Sequence, residues 1–253
     1  MTVDALVLAG GGREHGLPPG VPNKAFLPVA GVPMVERVVR ALRGVAGIRR
    51  IAVVGPPSVE GLQALGDLVV PERGDILENV RAGLEALGTD GWVLVAASDL
   101  PLLAPDAIVD FLGSCERVEA DFFYPIVRQE IIESRLPGIR KTFVRVADGT
   151  FAGGGLLLLK PFVLERVWGL IEAAVAARKN PAKLATLFGA KYVVQFALGR
   201  LRIADLEERV RELTGLRGKA VLSRFPELAI DVDLGRPDTL GRVEEALRRR
   251  DVQ

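Results

Sequence analysis

One cysteine, one histidine, almost no net charge and no long apolar run are the scarcities of this chain, and each excludes something. A lone Cys115 cannot close an intramolecular disulfide or build a thiolate zinc site, which fits a reducing setting. Lys+Arg 33 against Asp+Glu 32 leaves +1, so no global field draws in nucleic acid or an anionic membrane. Neither partner is expected. The opening MTVDALVLAGGG has an acid at Asp4 and no basic segment, which predicts neither a signal peptide nor a spanning helix and points to a cytoplasmic protein. Internal repeats and Ser/Gly linkers are also lacking, so a single domain over 1–253 is expected. With 49% hydrophobic and 26% charged residues, the chain has the composition of a globular protein.

What is present is an alternation of β-rich runs and helical patterns. Val3 to Ala9 reads as a strand, and Pro33 to Leu42 as a helix with Met34, Val35, Val38, Val39 and Leu42 on one face. The pattern continues with strands at Arg50 to Val54, Leu68 to Val70 and Trp92 to Ala97, and a helix from Asp75 to Leu87. Strands apolar on both faces and separated by helices imply a mainly parallel sheet covered on both sides, an α/β three-layer sandwich. Further on, a helix near Pro105 to Leu112 and a strand at Ala120 to Tyr124 are predicted. A hairpin is predicted to turn at Asp148-Gly149, pairing Thr142 to Val146 with Gly155 to Leu159. A helical, lid-like insertion is expected over about 161–225, with Asn180-Pro181 as a cap and first-turn pair. An acid-ended strand, Ile230 to Asp233, and a last helix near Pro237 to Arg249 close the chain.

The strongest local signal is Leu8-Ala9-Gly10-Gly11-Gly12 after the first strand, where backbone N–H groups can turn toward phosphate oxygens with no Cβ in the way. A tight strand-to-helix connection would use the same glycines. Gly11 and Gly16 have the outer spacing of a P-loop, but Leu17 and Pro18 stand where Lys and Ser/Thr are required. A dinucleotide fingerprint fails too, with His15 at the third glycine and Val54-Gly55-Pro56 offering no acid for a ribose. About a dozen residues on, Lys24 could stabilise charge growing on phosphate oxygens, or simply be a solvated loop lysine. Ser98-Asp99-Leu100-Pro101 puts a carboxylate at the carboxyl end of a parallel strand, where open α/β sheets bind ligands. With Asp233 it would offer Mg²⁺ two hard oxygens, whereas each acid alone could cap a helix.

Taken in this order, the glycine loop, Lys24, Ser98-Asp99-Leu100-Pro101 and Asp231-Val232-Asp233 followed by Pro237-Asp238 make the chain resemble the molybdenum-cofactor-guanylyltransferase-like NTP transferases. The resemblance is densest in residues 6–35 and 92–103, recurs at Gly153-Gly154-Gly155 and is thin across 165–225. It implies a Rossmann-like fold related to the GT-A glycosyltransferases and transfer of a nucleoside monophosphate from an NTP to a small phosphorylated or hydroxyl acceptor, releasing pyrophosphate. Under it, the backbone of Leu8, Ala9, Gly10, Gly11 and Gly12 would hold the nucleotide and Lys24 would contact phosphate. Asn79 would lie near base or ribose, and Asp99 and Asp233 would hold Mg²⁺. Many members carry an arginine at the position of His15, so Arg13 could swing in as the cation gripping the triphosphate, or a protonated His15 could serve in part, unless His15 is simply an exposed loop residue. Arg140, Lys141 and Arg145 flank the hairpin and could meet an acceptor phosphate, or be surface charges of an edge strand. Arg248-Arg249-Arg250 reads as a solvated helix end. Two rivals stand beside this reading: a non-catalytic nucleotide or nucleotide-sugar binding module, and a glycosyltransferase, whose Asp-x-Asp spacing occurs here only late, at Asp231-Val232-Asp233. The NTP base, the acceptor and the oligomeric state are not legible.

Overall fold

The computed structural model describes residues 1–57, 59, 61–177, 187, 189–235 and 237–250. Its centre is a parallel ladder of strands that are apolar on both faces: β1 (Val3–Leu8), β4 (Ile48–Gly55), β5 (Leu68–Pro71) and β6 (Val93–Ala97). Between the first two lie a small hairpin, β2 (Pro28–Val29) with β3 (Val32–Pro33), and helix α1 (Met34–Arg43). Leu8 stands opposite both Val54 and Ala97, so three strand ends finish at one level and the loops after them share one edge.

Helices cover both faces. On one, α1 and α4 (Pro105–Cys115) press Val38, Leu42, Ile108 and Phe111 onto the sheet. On the other, α3 (Ile76–Leu87) and α6 (Phe162–Ala177) press Val80, Leu84, Val163 and Leu164 onto Leu6, Val54 and Val95. Helix α3 starts where Asp75 accepts from the N–H groups of Leu77 and Glu78 at 2.9 and 3.0 Å, and stops at Gly88 in the left-handed region (φ 54°). The remaining elements are α2 (Leu62–Leu65), β7 (Phe122–Arg128), α5 (Gln129–Arg135), β8 (Val144–Val146), β9 (Gly149–Gly153), β10 (Leu156–Leu159), α7 (Ala190–Ala197), α8 (Ile203–Thr214), β11 (Gly218–Ser223) and α9 (Pro237–Arg250). Nine strands form the main sheet in the order β5-β4-β1-β6-β10-β7-β9-β8, with β11 parallel to β7. This is the expected α/β sandwich. No helix among the described residues is long and apolar enough to cross a membrane.

Four expectations change. The hairpin partner of β8 is β9, in register Val146↔Gly149, whereas Leu156–Leu159 pairs antiparallel with β6. The strand expected at Ala120–Tyr124 runs instead from Phe122 to Arg128, through Pro125. That proline is tolerated because Val127 and Ile126 pair with β9 while Phe123 and Phe122 pair with β10. The register jumps between them at Gly154-Gly155, so the edge needs no donor at Pro125. The insertion over 161–225 is not helical throughout, since 218–223 is a strand held by long-range pairing along the whole of β7. Ile230 to Asp233 is not a strand: both edges of β6 are taken, by β1 and β10, so the segment crosses the strand ends after a 3-10 turn at Pro226–Ala229. Asn180-Pro181 lies outside the described residues.

Asp4, inside β1, is fully buried and accepts from Arg49 and Arg50, each at 2.8 Å. Burial pushes its carboxyl up, but the two guanidinium hydrogen bonds outweigh this and hold it below its ordinary value of 3.8. Its contribution is therefore present above that ordinary value and lost as pH falls through the lowered one. Asp4→Asn should cost about 1–3 kcal/mol near neutral pH, a figure kept low because both arginines are about half exposed. Thermal melts should show a deficit of about 2–4 °C per kcal/mol, shrinking toward acid pH. Burial also pushes the Cys115 thiol up to about 12, so iodoacetamide at pH 8 should label it only after denaturation.

Candidate nucleotide site

Three loops meet at the carboxyl end of the parallel strands around a cavity of about 300 Å³, lined by Gly10 to Gly12, Lys24, Asn79 and Asp99 among others. The first leaves β1 through Ala9, whose N–H donates to Val54 O at 2.7 Å. Gly10 has no room for a side chain: a Cβ would lie 2.7 Å from Glu72 Oε2 and 2.9 Å from Asn79 Nδ2. Gly11 adopts φ 126°, open essentially to glycine, while a Cβ on Gly12 would meet only open space. Gly12 thus faces the volume a ligand could fill.

Asn23, to which the sequence reading assigned no role, locks this loop to the next one. Its buried amide donates to Ala9 O at 2.9 Å and Gly11 O at 3.2 Å, while its Oδ1 accepts from Ala25 N–H at 2.9 Å and caps the 3-10 turn that carries Lys24. The legible signal was an Asn immediately before the lysine. Glu72 was missed as well. Its carboxylate accepts from the Gly11 N–H at 2.5 Å, so one loop amide is already used. Asn79 is buried under Gly10 and takes the Arg73 N–H on its Oδ1 at 2.6 Å, which holds the loop after β5 in place.

Lys24 meets Asp99 at 2.8 Å, with Glu14 at 4.0 Å. Burial pulls the ammonium down, but Asp99, then Glu14 and Asp233, outweigh it and raise Lys24 above its ordinary 10.5. Lys24 is therefore a full cation across the neutral range. Val232 N–H donates to Asp99 O at 3.1 Å, which lays the 230–233 segment beside the Asp99 loop, and from there the Asp233 carboxylate adds a weaker, longer-range pull on the ammonium. The partner acid, Asp231, pairs instead with Lys141. Leu8, Gly10, Gly11, Gly12, Lys24, Asn79 and Asp99 thus line one cavity, and Asp233 stands close by.

Arg13 is placed differently from its expected role. Its guanidinium donates to Val21 O, Leu17 O and Pro18 O, all at 3.0 Å, so it staples its own loop and does not point at the glycines. In the basic run near the end of the last helix, Arg248 and Arg249 are exposed and pair with Glu244 and Glu245 one turn back, as a solvated helix end does, while Arg250 is tied to Glu227 and Leu102 O. With Arg135 and Arg242, two of these arginines border a larger cavity of about 620 Å³. It lies away from the glycine loop, Lys24 and Asp99.

The fold and these loops define an α/β protein with a cavity at the carboxyl ends of its parallel strands, the place where open α/β sheets bind ligands. The chain belongs to the MobA-like NTP transferase domain family, whose sequence signature matches residues 5–135. A bifunctional protein GlmU from Rhodospirillum rubrum is 34% identical over 116 residues, covering 43% of this chain and 25% of that one. A 2-C-methyl-D-erythritol 4-phosphate cytidylyltransferase from Streptomyces coelicolor is 35% identical over 116 residues, covering 41% and 43%. The chain therefore spans less than half the length of both. Among solved structures, a hypothetical transferase from Thermus thermophilus superposes with a TM-score of 0.83 at 38% identity, covering 95% of this chain and all of that one. A CMP:2-keto-3-deoxy-manno-octonic acid synthetase complexed with CTP shares the fold, with a TM-score of 0.63 at 15% identity over 98% of this chain and all of that one.

Asn23→Ala should leave Ala9 O, Gly11 O and Ala25 N–H short of a partner and cost about 1–3 kcal/mol. Urea melts would measure the loss, and amide exchange should speed up from Gly11 to Ala25 while the core of β1 stays protected.

Proposed function

We propose that this site transfers a nucleoside monophosphate from an NTP to a small phosphorylated or hydroxyl acceptor, releasing pyrophosphate. The observation that carries the reading is Lys24, a raised-pKa cation held 2.8 Å from Asp99 at the mouth of a glycine-walled cavity. The open face at Gly12 leaves backbone amides for phosphate oxygens. Lys24 offsets negative charge that grows on phosphate as the acceptor oxygen attacks in line, and this favours the transition state over the bound NTP. The buried Asn23 lock keeps Lys24 and the glycines in one arrangement, so little reorganisation is needed when the reaction occurs.

The residues suit Mg²⁺. Asp99 offers a carboxylate at the cavity wall, and Asp233 lies on the segment laid beside it by the Val232 to Asp99 hydrogen bond. That matches a cation taking one or two carboxylates and finding its other oxygens on phosphate and water. Asp99 and Asp233 would hold it, and a bound Mg²⁺ would supply charge neutralisation on the phosphate oxygens. We take the whole chain as one transferase domain, with the helices of 162–214 covering the acceptor side.

One observation favours a second reading, a nucleotide-binding module without turnover: Arg13, the cation assigned to grip the triphosphate, is spent on three carbonyls. Thermal melts with CTP, GTP, UTP and ATP test the binding step. With Mg²⁺, the preferred NTP at 100 times its Kd should stabilise the fold by about 2.7 kcal/mol. Asp99→Ala should melt like the parent alone and lose the Mg²⁺-dependent shift, and Lys24→Ala should weaken NTP binding about tenfold. No shift with any NTP would refute the proposal. Binding without pyrophosphate release across a panel of sugar and polyol phosphates would favour the module.

A further inference from the structure

The two faces of β7 are unequal. Phe123, Pro125 and Val127 point to a fully covered side, while Phe122, Tyr124, Ile126 and Arg128 alternate onto the other, which is only partly covered. That second face floors a cavity of about 410 Å³ whose walls include Val144, Phe151, Leu206 and Val210. Its apolar groups are unusually open to solvent: Tyr124 is 40% exposed, Val144 48% and Leu206 41%. Leu222, which β11 sets beside Ile126, is 51% exposed. The roof is α8, none of whose residues is buried. So much uncovered apolar surface around a concavity of ligand size marks a binding site.

The cavity adjoins the nucleotide site. Gly153 lines it, and Gly155 accepts from the N–H of Ala97, which lines the cavity of the glycine loop. Two peptide units separate Gly153 from Gly155, at most about 7 Å. The wall between them is tightly packed: a Cβ would lie 2.2 Å from the Tyr124 hydroxyl at Gly153, 3.0 Å from Leu228 O at Gly154 and 2.8 Å from Leu100 at Gly155. At the rim, the apolar row of β7 ends in a cation. Arg128 lies with its guanidinium 5.0 Å over the Phe151 ring, and Gly149 leaves room for it, since a Cβ there would come within 2.7 Å of Nη1. Its guanidinium donates to Asp148 O at a long 3.4 Å.

We propose that this cavity holds the body of the acceptor, and that the acceptor is an organic monophosphate with an apolar chain or ring instead of a bare sugar phosphate. This rests on the nucleotidyl-transfer reading of the neighbouring site. The apolar body lies on Tyr124, Ile126 and Phe151, and Arg128 meets the phosphate beside the Phe151 ring. A volume of about 410 Å³ admits a small molecule and is too small for a partner helix.

The test is a series of n-alkyl monophosphates from ethyl to hexyl, with affinity read by calorimetry with and without Mg²⁺ and the preferred NTP. Kd should fall about three- to fourfold per added methylene. Leu206→Asp, and independently Val144→Asp, should flatten that series while leaving the NTP-dependent melting shift unchanged. Arg128→Gln should weaken every member by a similar factor and keep the slope. A flat series in the parent protein would overturn the proposal even if NTP binds. A sloped series with no NTP-dependent shift would overturn the acceptor role and refute the neighbouring reading instead. Sedimentation supplies a further check: a dimer that Leu222→Asp dissolves would give this face to a second copy of the chain and overturn the proposal.

Discussion

The buried amide of Asn23 joins the glycine loop to the lysine loop, and the geometry of the site depends on it. Two donors hold Ala9 O and Gly11 O, and one acceptor caps the turn that begins at Lys24. A glycine-rich loop left to itself is the most conformationally free segment a chain can have. Asn23 ties it at two carbonyls while Glu72 takes the Gly11 N–H, which fixes the loop's path, and the same asparagine caps the turn that carries Lys24. The Lys24–Asp99 pair then closes the third side, and Asp233 joins through one backbone hydrogen bond between Val232 and Asp99. Apart from the local Asn23 cap on Ala25, these interactions join segments at least a dozen residues apart.

The sheet divides into two halves with different physical character. Its parallel half is buried on both faces, and its strand ends finish level, which is why loops from β1 and β6 can converge. Its antiparallel half is built differently: β9 and β10 share one edge of β7, and the two-residue register jump at Gly154-Gly155 bends the chain across the junction. That bend brings Gly155 against the end of β6 and Gly153 against Tyr124. The three glycines are a packing requirement of the junction. A nucleotide on one side and an acceptor on the other would meet across it.

Most of the fold was legible because its elements announce themselves locally. Valine-rich strands apolar on both faces, a helix opened by Asp75 and closed by Gly88, and the alternation of the two are patterns of short range, and the structure follows them closely. The misreadings share one cause. Strand β11 exists only because β7 lies alongside it, and its Gly-Lys-Ala-Val-Leu-Ser run carries no alternation that would reveal this. Ile230 to Asp233 looks like a strand in isolation but finds no vacant edge. The strand expected to stop at Tyr124 continues through Pro125 because pairing on either side of a register jump carries it on.

For the site, the residue types and their order singled out the glycine loop, Lys24, Asp99 and Asp233 as candidates at or near the ends of recognisable elements, and the family resemblance added Asn79. The sequence by itself thus determined the sandwich, its parallel centre and the loops where a ligand would lie, since secondary structure and burial follow from local periodicity. Only the tertiary structure decided what each polar group in those loops is doing. Arg13 is spent on three carbonyls, Glu72 holds a glycine amide, Asn23 is the lock, and Asp233 and not Asp231 stands by Lys24. The reason is physical: hydrogen bonds and ion pairs are settled by distances of about 3 Å between groups whose separation in sequence carries no information.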